Sequence, residues 1–374
     1  MIKRLCKFVE EKRGSKRLFW KILVTEKDIA WFIVDNLREL FKERKDFFIK
    51  NNIREGTTVK IKGRKLKILH LHDVDNWAIH NVGRLWLEDI PFVETEFRNL
   101  KNVKSEEFHN YDLIWYGSSY LYLKKPFDIK RSIIAVHDPD EIFPPEINEK
   151  SRLVFLRERI KADEEKGRRL RILKKFETII TISKELKEML EKEDIKTYLI
   201  QTTSTLPEIK NIKTNNCRIC SVFREYPRKN PELMYYLKDY AEKKLGIEFD
   251  IKGGLGFDYL SEEDYIKYLD RHEIYICTSF QEGGPIPAMD AMKRGLVVLT
   301  TPVGQIQELI EDGKNGFICR TKEDFIKRIE LLSKSKEILH KMRVESEKTI
   351  LKLRNVEDIK NNVANFLKKF IDFN

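Results

Sequence analysis

Cysteine is scarce in this 374-residue chain, and what there is excludes a disulfide framework. Cys6, Cys217, Cys220, Cys277 and Cys319 form an odd, scattered set, which fits a reducing compartment. Cys217 and Cys220 are spaced as C-x-x-C, but no second pair of cysteines or histidines stands at zinc-finger spacing, and the segment reads as a buried strand. Long apolar runs are missing too. None approaches the ~20 residues of a membrane span, and the first residues lack the apolar stretch of a signal peptide. These absences point to a cytoplasmic protein, soluble or peripheral to the inner face of the membrane.

Charge is abundant instead. Charged residues make up 36% of the chain against 41% hydrophobic and 11% aromatic, a mixture that builds cores and differs from that of a disordered chain. The net charge of +11 favours anionic partners: nucleic acid, an acidic membrane surface or phosphorylated substrates. The surplus is spread through helices of alternating lysine and glutamate, which reads as solvated surface, and no nucleic-acid-binding motif is present. No specific nucleic-acid partner is therefore expected.

The length suits two domains of common size. Residues 1–65 read as an extension, partly helical: from Glu26 to Phe48 apolar residues recur at helical spacing, giving a face that packs on the following domain or lies on an anionic membrane. From residue 66 onward short apolar strands alternate with helices. Leu66 to Leu71, expected to pair with Thr58 to Ile61 across a turn at Gly63, is followed by Leu113 to Trp115, Ser132 to Val136, Thr178 to Ile182 and Thr197 to Ile200. Helices are expected over Ser151 to Phe176 and Ser183 to Lys192. Gln201 to Asn216 is polar and aperiodic and reads as a linker.

A second series runs through Ile219 to Phe223, a helix opening at Asn230 and Pro231, Glu248 to Lys252, a helix capped by Ser261, and Ile274 to Cys277. It continues with Leu296 to Thr300, Glu308 to Glu311, Gly316 to Cys319 and a helical tail to Phe370. The alternation predicts an α/β chain of two Rossmann-like domains, 66–205 and 206–350, with a helix over 351–374 that packs back on the first. In such sheets ligands bind beyond the carboxyl ends of the strands, here in the cleft between the domains.

One stretch organises the rest. The strand Ile274 to Cys277 runs into Glu282, Gly283, Gly284 and Pro285, then into a helix with Ile286, Met289 and Met292 on one face. Pro285 and Pro287 lack an amide hydrogen and fit only the first turn, so the helix begins near Pro285. The glycines admit a ligand close to the backbone, and the first-turn amides with the helix dipole make an anion site, most naturally for a phosphate. Glu282 and Asp290 flank that site, the latter roughly 7–8 Å along the helix at ~1.5 Å per residue. A diphosphate carrying a hydroxylated group at each end, as in a nucleotide sugar, suits the arrangement.

The series Glu282, Gly283, Gly284, Pro285, Pro287 and Asp290, continued by Gly295, Thr301, Pro302, Gly304, Glu308, Gly313 and Gly316, resembles the donor-binding half of the retaining GT-B glycosyltransferases of glycosyltransferase family 4. Ser221 to Leu233, with Arg224, Arg228 and Lys229, is similar to the family's diphosphate-binding segment. Weaker similarity reaches Lys67 to Asp73, Ala135 to Asp138 and Ile180 to Leu186, so that it covers roughly residues 66–350. The fold it implies is GT-B: two Rossmann-like domains facing an interdomain cleft, here with an N-terminal extension.

The implied activity is transfer of a hexose, with retention, from a UDP-, GDP- or ADP-linked sugar to a hydroxyl of a saccharide, lipid or protein. Arg224 and Lys229, with the backbone of Gly283, Gly284, Pro285 and Ile286, would hold the donor diphosphate, Arg228 being the alternative to Lys229. Fixed cations there stabilise charge as it forms on the leaving phosphate. Glu282 would bind sugar hydroxyls, and Asp290 the ribose, in a place where the family has the longer glutamate. His137 would contact the donor sugar from the opposite domain and completes a catalytic set with Glu282, Arg224 and Lys229.

Asp73 with Asp75, and Asp138 with Asp140, spell D-x-D, which binds a metal in the other main transferase architecture. With cations already assigned to the diphosphate, no metal is expected. The family's glycine-rich loop is replaced here by Asp73 to Arg84, and its proline-asparagine-glycine step by Gln201 to Thr205. The acceptor is thus the open element, lined on this reading by Asp73, Trp77 and Asp138. The alternative is a catalytically silent GT-B-like protein that binds a nucleotide, an anionic lipid or another chain.

Overall fold

The strands at the centre of each sheet are apolar without interruption because helices cover both of their faces. In the computed structural model, residues 59–372 are described apart from 62, 76–77, 142–165, 215, 224 and 254–259, all within the compact unit 56–374. The expected helix from Glu26 to Phe48, most of that from Ser151 to Phe176, and the candidate residues Trp77 and Arg224 lie outside the described residues.

The first sheet has six parallel strands in the order β3-β2-β4-β5-β6-β7: β2 (Leu66–His72), β3 (Val93–Asn99), β4 (Leu113–Tyr116), β5 (Ser132–Val136), β6 (Ile179–Thr181) and β7 (Thr197–Leu199). The second has five, in the order β12-β11-β10-β8-β9: β8 (Ile219–Val222), β9 (Phe249–Lys252), β10 (Ile274–Cys277), β11 (Val297–Thr300) and β12 (Gly316–Ile318). Every position of β4, β5, β10 is buried, and so is every position of β11.

Two expectations fail. The segment before Leu66 does not form a hairpin with β2: its short strand β1 (Val59–Lys60) pairs in parallel with β13 (Ile371–Asp372). Both edges of β2 are already occupied, by β3 over seven residues and by β4. Glu308 to Glu311 is no strand either; a 3-10 turn spans Gly304–Glu308, leaving one isolated bridge from Asp312 to Gly316.

Helices cross between the strands: α1 (Ala78–Leu87), α2 (Ser119–Lys124), α3 (Lys184–Glu191), α4 (Pro231–Leu245), α5 (Glu262–Asp270) and α6 (Ile286–Lys293), followed by α7 (Lys322–Lys334), α8 (Lys336–Leu353) and α9 (Val356–Leu367). Their starts follow the capping chemistry of their sequences. Ser183, Asn230, Ser261 and Asn355 each accept a backbone N–H with the side chain, supplying one of the orphan donors of a first turn. Asn230 does so at a positive φ of 54°, with Pro231 fixing the first helical position.

The tail returns to the first sheet. Ile359, Val363, Phe366 and Leu367 of α9 join Trp86, Trp115 and Ile133 in one apolar cluster, with Phe366 edge-on to Trp115 at 6.1 Å. The segment after Gln201 is fixed by two buried arginines. Arg343 donates to the carbonyls of Gly295 and Lys213, both at 2.6 Å, and Arg294 pairs with Asp270 while donating to Pro207 at 2.7 Å. No described helix is long and apolar enough to cross a membrane.

Candidate functional site

The loop between β10 and α6 meets the turn after β8. Phe280 N–H donates to the Arg228 carbonyl at 2.8 Å, and the Thr278 hydroxyl donates to the Lys229 carbonyl at 2.9 Å. These bonds carry two cations to one acid. Lys229 Nζ is paired with Glu282 Oε1, and Arg228 Nη1 lies 3.1 Å from Glu282 Oε2. Ser279 donates to the same carboxylate at 2.7 Å. Burial pushes the Glu282 carboxyl up, but the charges of Lys229 and Arg228, with the bonds from Lys229 and Ser279, outweigh it and hold the group below the ordinary glutamate value. Of the two cations weighed for this place, both are present.

Helix α6 starts at Ile286 with Pro285 before it, and no side chain caps it. Pro287 has no N–H and the Ala288 N–H donates to the Pro285 carbonyl at 2.9 Å, which leaves the Ile286 N–H as the first-turn donor for an anion. Asp290, one turn on, is buried rather than facing open solvent. The Tyr265 hydroxyl donates to it at 3.1 Å and Ser204 bonds to it as well. Burial prevails over those bonds and pushes its carboxyl up to about 6.

The first sheet contributes the loop after β5. His137 is partly exposed, and its ring stacks on Trp86 with centroids 5.4 Å apart. Burial lowers the ring's pKa to about 4, with a backbone bond at Gly117 opposing, so at neutral pH the imidazole is uncharged. Asp138 crosses to the second sheet, 3.0 Å from Arg228 Nη1. Gly283 faces the same loop: a Cβ there would stand 1.5 Å from the His137 carbonyl oxygen. One at Gly284 would meet Gln305 Nε2 at 2.3 Å. Both glycines thus serve close contact between parts of the protein, a reason for them that their sequence context does not disclose.

Asp73, at the end of β2, accepts a bond from the Tyr120 hydroxyl, while its Oδ1 is buried with no partner among the described residues. The structure therefore gathers Glu282, Arg228, Lys229, Gly283, His137 and Asp138 at the carboxyl ends of the two sheets. Asp290 lies a turn along α6 and Asp73 at the end of another strand.

Two residues take roles that sequence reasoning did not assign them. Glu141 is the first: its carboxylate accepts from the backbone N–H groups of His137 (2.8 Å), Asp138 (3.2 Å) and Ser119 (2.9 Å) and from the Ser118 hydroxyl (2.5 Å). It fixes the loop that presents His137 and Asp138. An acid three residues after Asp138, with Pro139 between, was the local signal of a capped turn; its partners at 118–119 are invisible locally. The second role belongs to Glu308, which accepts from Lys184 N–H at 2.8 Å, Gln201 Nε2 at 3.1 Å and Arg354 Nη2 at 3.3 Å, joining both sheets.

Residues 255–349 match the model of the family described as Glycosyl transferases group 1. No curated protein matches the chain in sequence. Among solved structures, HepE from Anabaena, in complex with UDP-glucose, is similar with a TM-score of 0.59 at 16% identity, over 81% of this chain and 100% of that one. Sucrose-phosphate synthase from Thermosynechococcus elongatus gives a TM-score of 0.62 at 13% identity, over 82% and 99%. S. aureus TarM, in complex with UDP, gives 0.55 at 14% identity, over 70% of this chain but only 55% of TarM, so the chain spans about half of that protein's length. At these identities the likeness establishes the fold: two Rossmann-like parallel sheets in the GT-B arrangement.

Proposed function

From the match of residues 255–349 to the glycosyl transferases group 1 model we propose that the protein is a retaining glycosyltransferase that moves a hexose from a nucleotide-diphosphate sugar to a hydroxyl acceptor. The observation that carries the reading is the meeting of Lys229, Arg228 and Glu282 beside the uncapped start of α6, with His137 and Asp138 brought to them from the other sheet.

On this reading the diphosphate binds between the two cations and the backbone of Gly283, Gly284, Pro285 and Ile286 at the start of α6, where Arg224 adds its charge. Glu282 and His137 hold the sugar, and Asp290, with Tyr265, takes the ribose hydroxyls. The acceptor oxygen attacks the anomeric carbon on the face the diphosphate leaves. The sugar–phosphate bond breaks as the new bond forms, and the acceptor proton passes to the departing phosphate oxygen. Charge growing on that phosphate is met by Lys229 and Arg228, which supply the stabilisation most valuable in the transition state. No metal is needed for this step. The acceptor lies on the first-sheet side, near Asp73, Trp77 and Asp138.

HepE was solved with UDP-glucose and TarM with UDP, so UDP sugars head the panel to test. Calorimetry against UDP, GDP and ADP sugars should give saturable binding of one of them, unchanged in excess EDTA. Binding restored only by manganese would overturn the metal-free step. Absence of binding across the panel would favour a silent GT-B-like interaction protein.

A further inference from the structure

A second group of ionisable side chains lies at the amino end of the second sheet, whereas Glu282 follows the carboxyl end of β10. Glu248 and Asp250 flank Phe249 at the start of β9, so their side chains share one face of this edge strand while Phe249 fills the core on the other. His272, in the turn after α5, is 1% exposed and reaches the same place. Suitable ligand atoms of Glu248, Asp250 and His272 all lie within 4.8 Å of one another.

The hydrogen-bond inventory of His272 is short of a cation. Its Nδ1 is 2.6 Å from the Tyr268 carbonyl oxygen and its Nε2 3.1 Å from Asp250 Oδ2. A carbonyl and a carboxylate only accept, and a neutral imidazole carries one N–H. With Nδ1 donating to Tyr268, the Nε2 lone pair would face an anion. A proton or a metal ion must stand between them. Glu248 brings a second carboxylate within 4.8 Å of the same ring, and among the described residues no lysine or arginine is ion-paired with Glu248 or Asp250.

The geometry accommodates a metal. Zinc–ligand bonds of ~2.0–2.1 Å in a tetrahedron put ligand atoms about 3.3 Å apart, close to the 3.1 Å from Nε2 to Oδ2. The bond from Nδ1 to a backbone carbonyl is the orienting contact of metal-bound histidines. Glu248 is exposed and Asp250 half-buried, which leaves the ion a way in. We propose that Glu248, Asp250 and His272 bind a divalent first-row metal ion of the zinc type, with water in the remaining position. The ion staples the start of β9 to the end of α5, the helix whose Tyr265 holds Asp290.

Among the described residues His72, Asp75 and His80 form the other cluster of metal-binding residue types, and they serve as the control. There His72 Nδ1 is buried without a partner among the described residues, so a metal on Nε2 would force an unpaired N–H into the interior.

The test uses the full chain, freed of metal by chelation and desalting, titrated with Co2+ by visible absorption and with Zn2+ by competition and thermal melting. Wild type is expected to bind one ion with a tetrahedral Co2+ spectrum and to melt several degrees higher with Zn2+. Asp250→Asn and Glu248→Gln, the latter on an exposed side chain that leaves the fold intact, should each weaken binding at least tenfold, and Asp75→Asn should leave it unchanged. Absence of binding to wild type, unchanged affinity in Asp250→Asn and Glu248→Gln, or loss in Asp75→Asn would overturn the assignment.

Discussion

Arg228 of the second sheet and Asp138 of the first form an ion pair at 3.0 Å, each side chain 20% exposed. The cation that would meet a diphosphate is thus held by an acid from the opposite side of the cleft. Asp138→Asn should release it and tighten nucleotide-sugar binding by about 1.5- to 5-fold, the range of a partly exposed pair. Unchanged affinity by calorimetry would mean that Arg228 does not reach the ligand.

Lys229→Ala and Glu282→Ala should each abolish detectable transfer, with kcat lower by at least about 100-fold. Lys229→Ala should act mainly on kcat, since the charge it meets grows as the bond breaks. Circular dichroism should show the fold retained. Wild-type turnover in both variants would sink the site assignment.

Asp290 makes stability depend on pH. Its carboxyl, raised from 3.8 to about 6, is protonated in both folded and unfolded chains below pH 4 and ionised in both above about 7. Between these limits only the unfolded chain has lost the proton. The contribution of Asp290 is therefore lost as pH rises from 4 to 6, by an amount on the order of 2–3 kcal/mol, while His137, with its pKa lowered to about 4, contributes in the opposite sense. The difference in stability between wild type and Asp290→Asn, read by urea titration at each pH, should therefore carry the Asp290 slope. Asp290→Glu should raise donor affinity if this residue takes the ribose; no effect of Asp290→Ala on affinity would move that contact elsewhere.

Gly283→Ala places a methyl group against the His137 carbonyl, where the ideal position is 1.5 Å from the oxygen. The two loops must separate, at a cost of about 1–3 kcal/mol, the usual range for overpacking. A lower Tm together with lost transfer is expected. A fully stable, active variant would show that the loops are not in contact during turnover.

Much of this architecture could be read from residue order. Ser132 to Val136 is β5 to the residue, because a strand buried on both faces is apolar throughout and ends where polarity returns. The caps Ser183, Asn230 and Ser261 act within three residues of themselves, so local pattern suffices for them. β3 went unmarked: Val93–Asn99 is an edge strand whose outward positions are charged, and its pattern resembles surface. The expected hairpin failed because strand pairing is decided by which edges remain open. Asp290 was placed on the right helix, but its burial depends on Tyr265 and Ser204, residues distant in the chain. Glu141 was missed for the same reason. Arg224 and Trp77 stay outside the described residues, and their roles rest on their neighbours.

The chain passes between the two sheets twice, once after β7 and again between α8 and α9, and both passages touch one carboxylate. Gln201, at the first, and Arg354, at the second, each bond to Glu308. One side chain thus ties down both passages, and replacing Glu308 would free the two strands of chain that join the sheets at a single stroke.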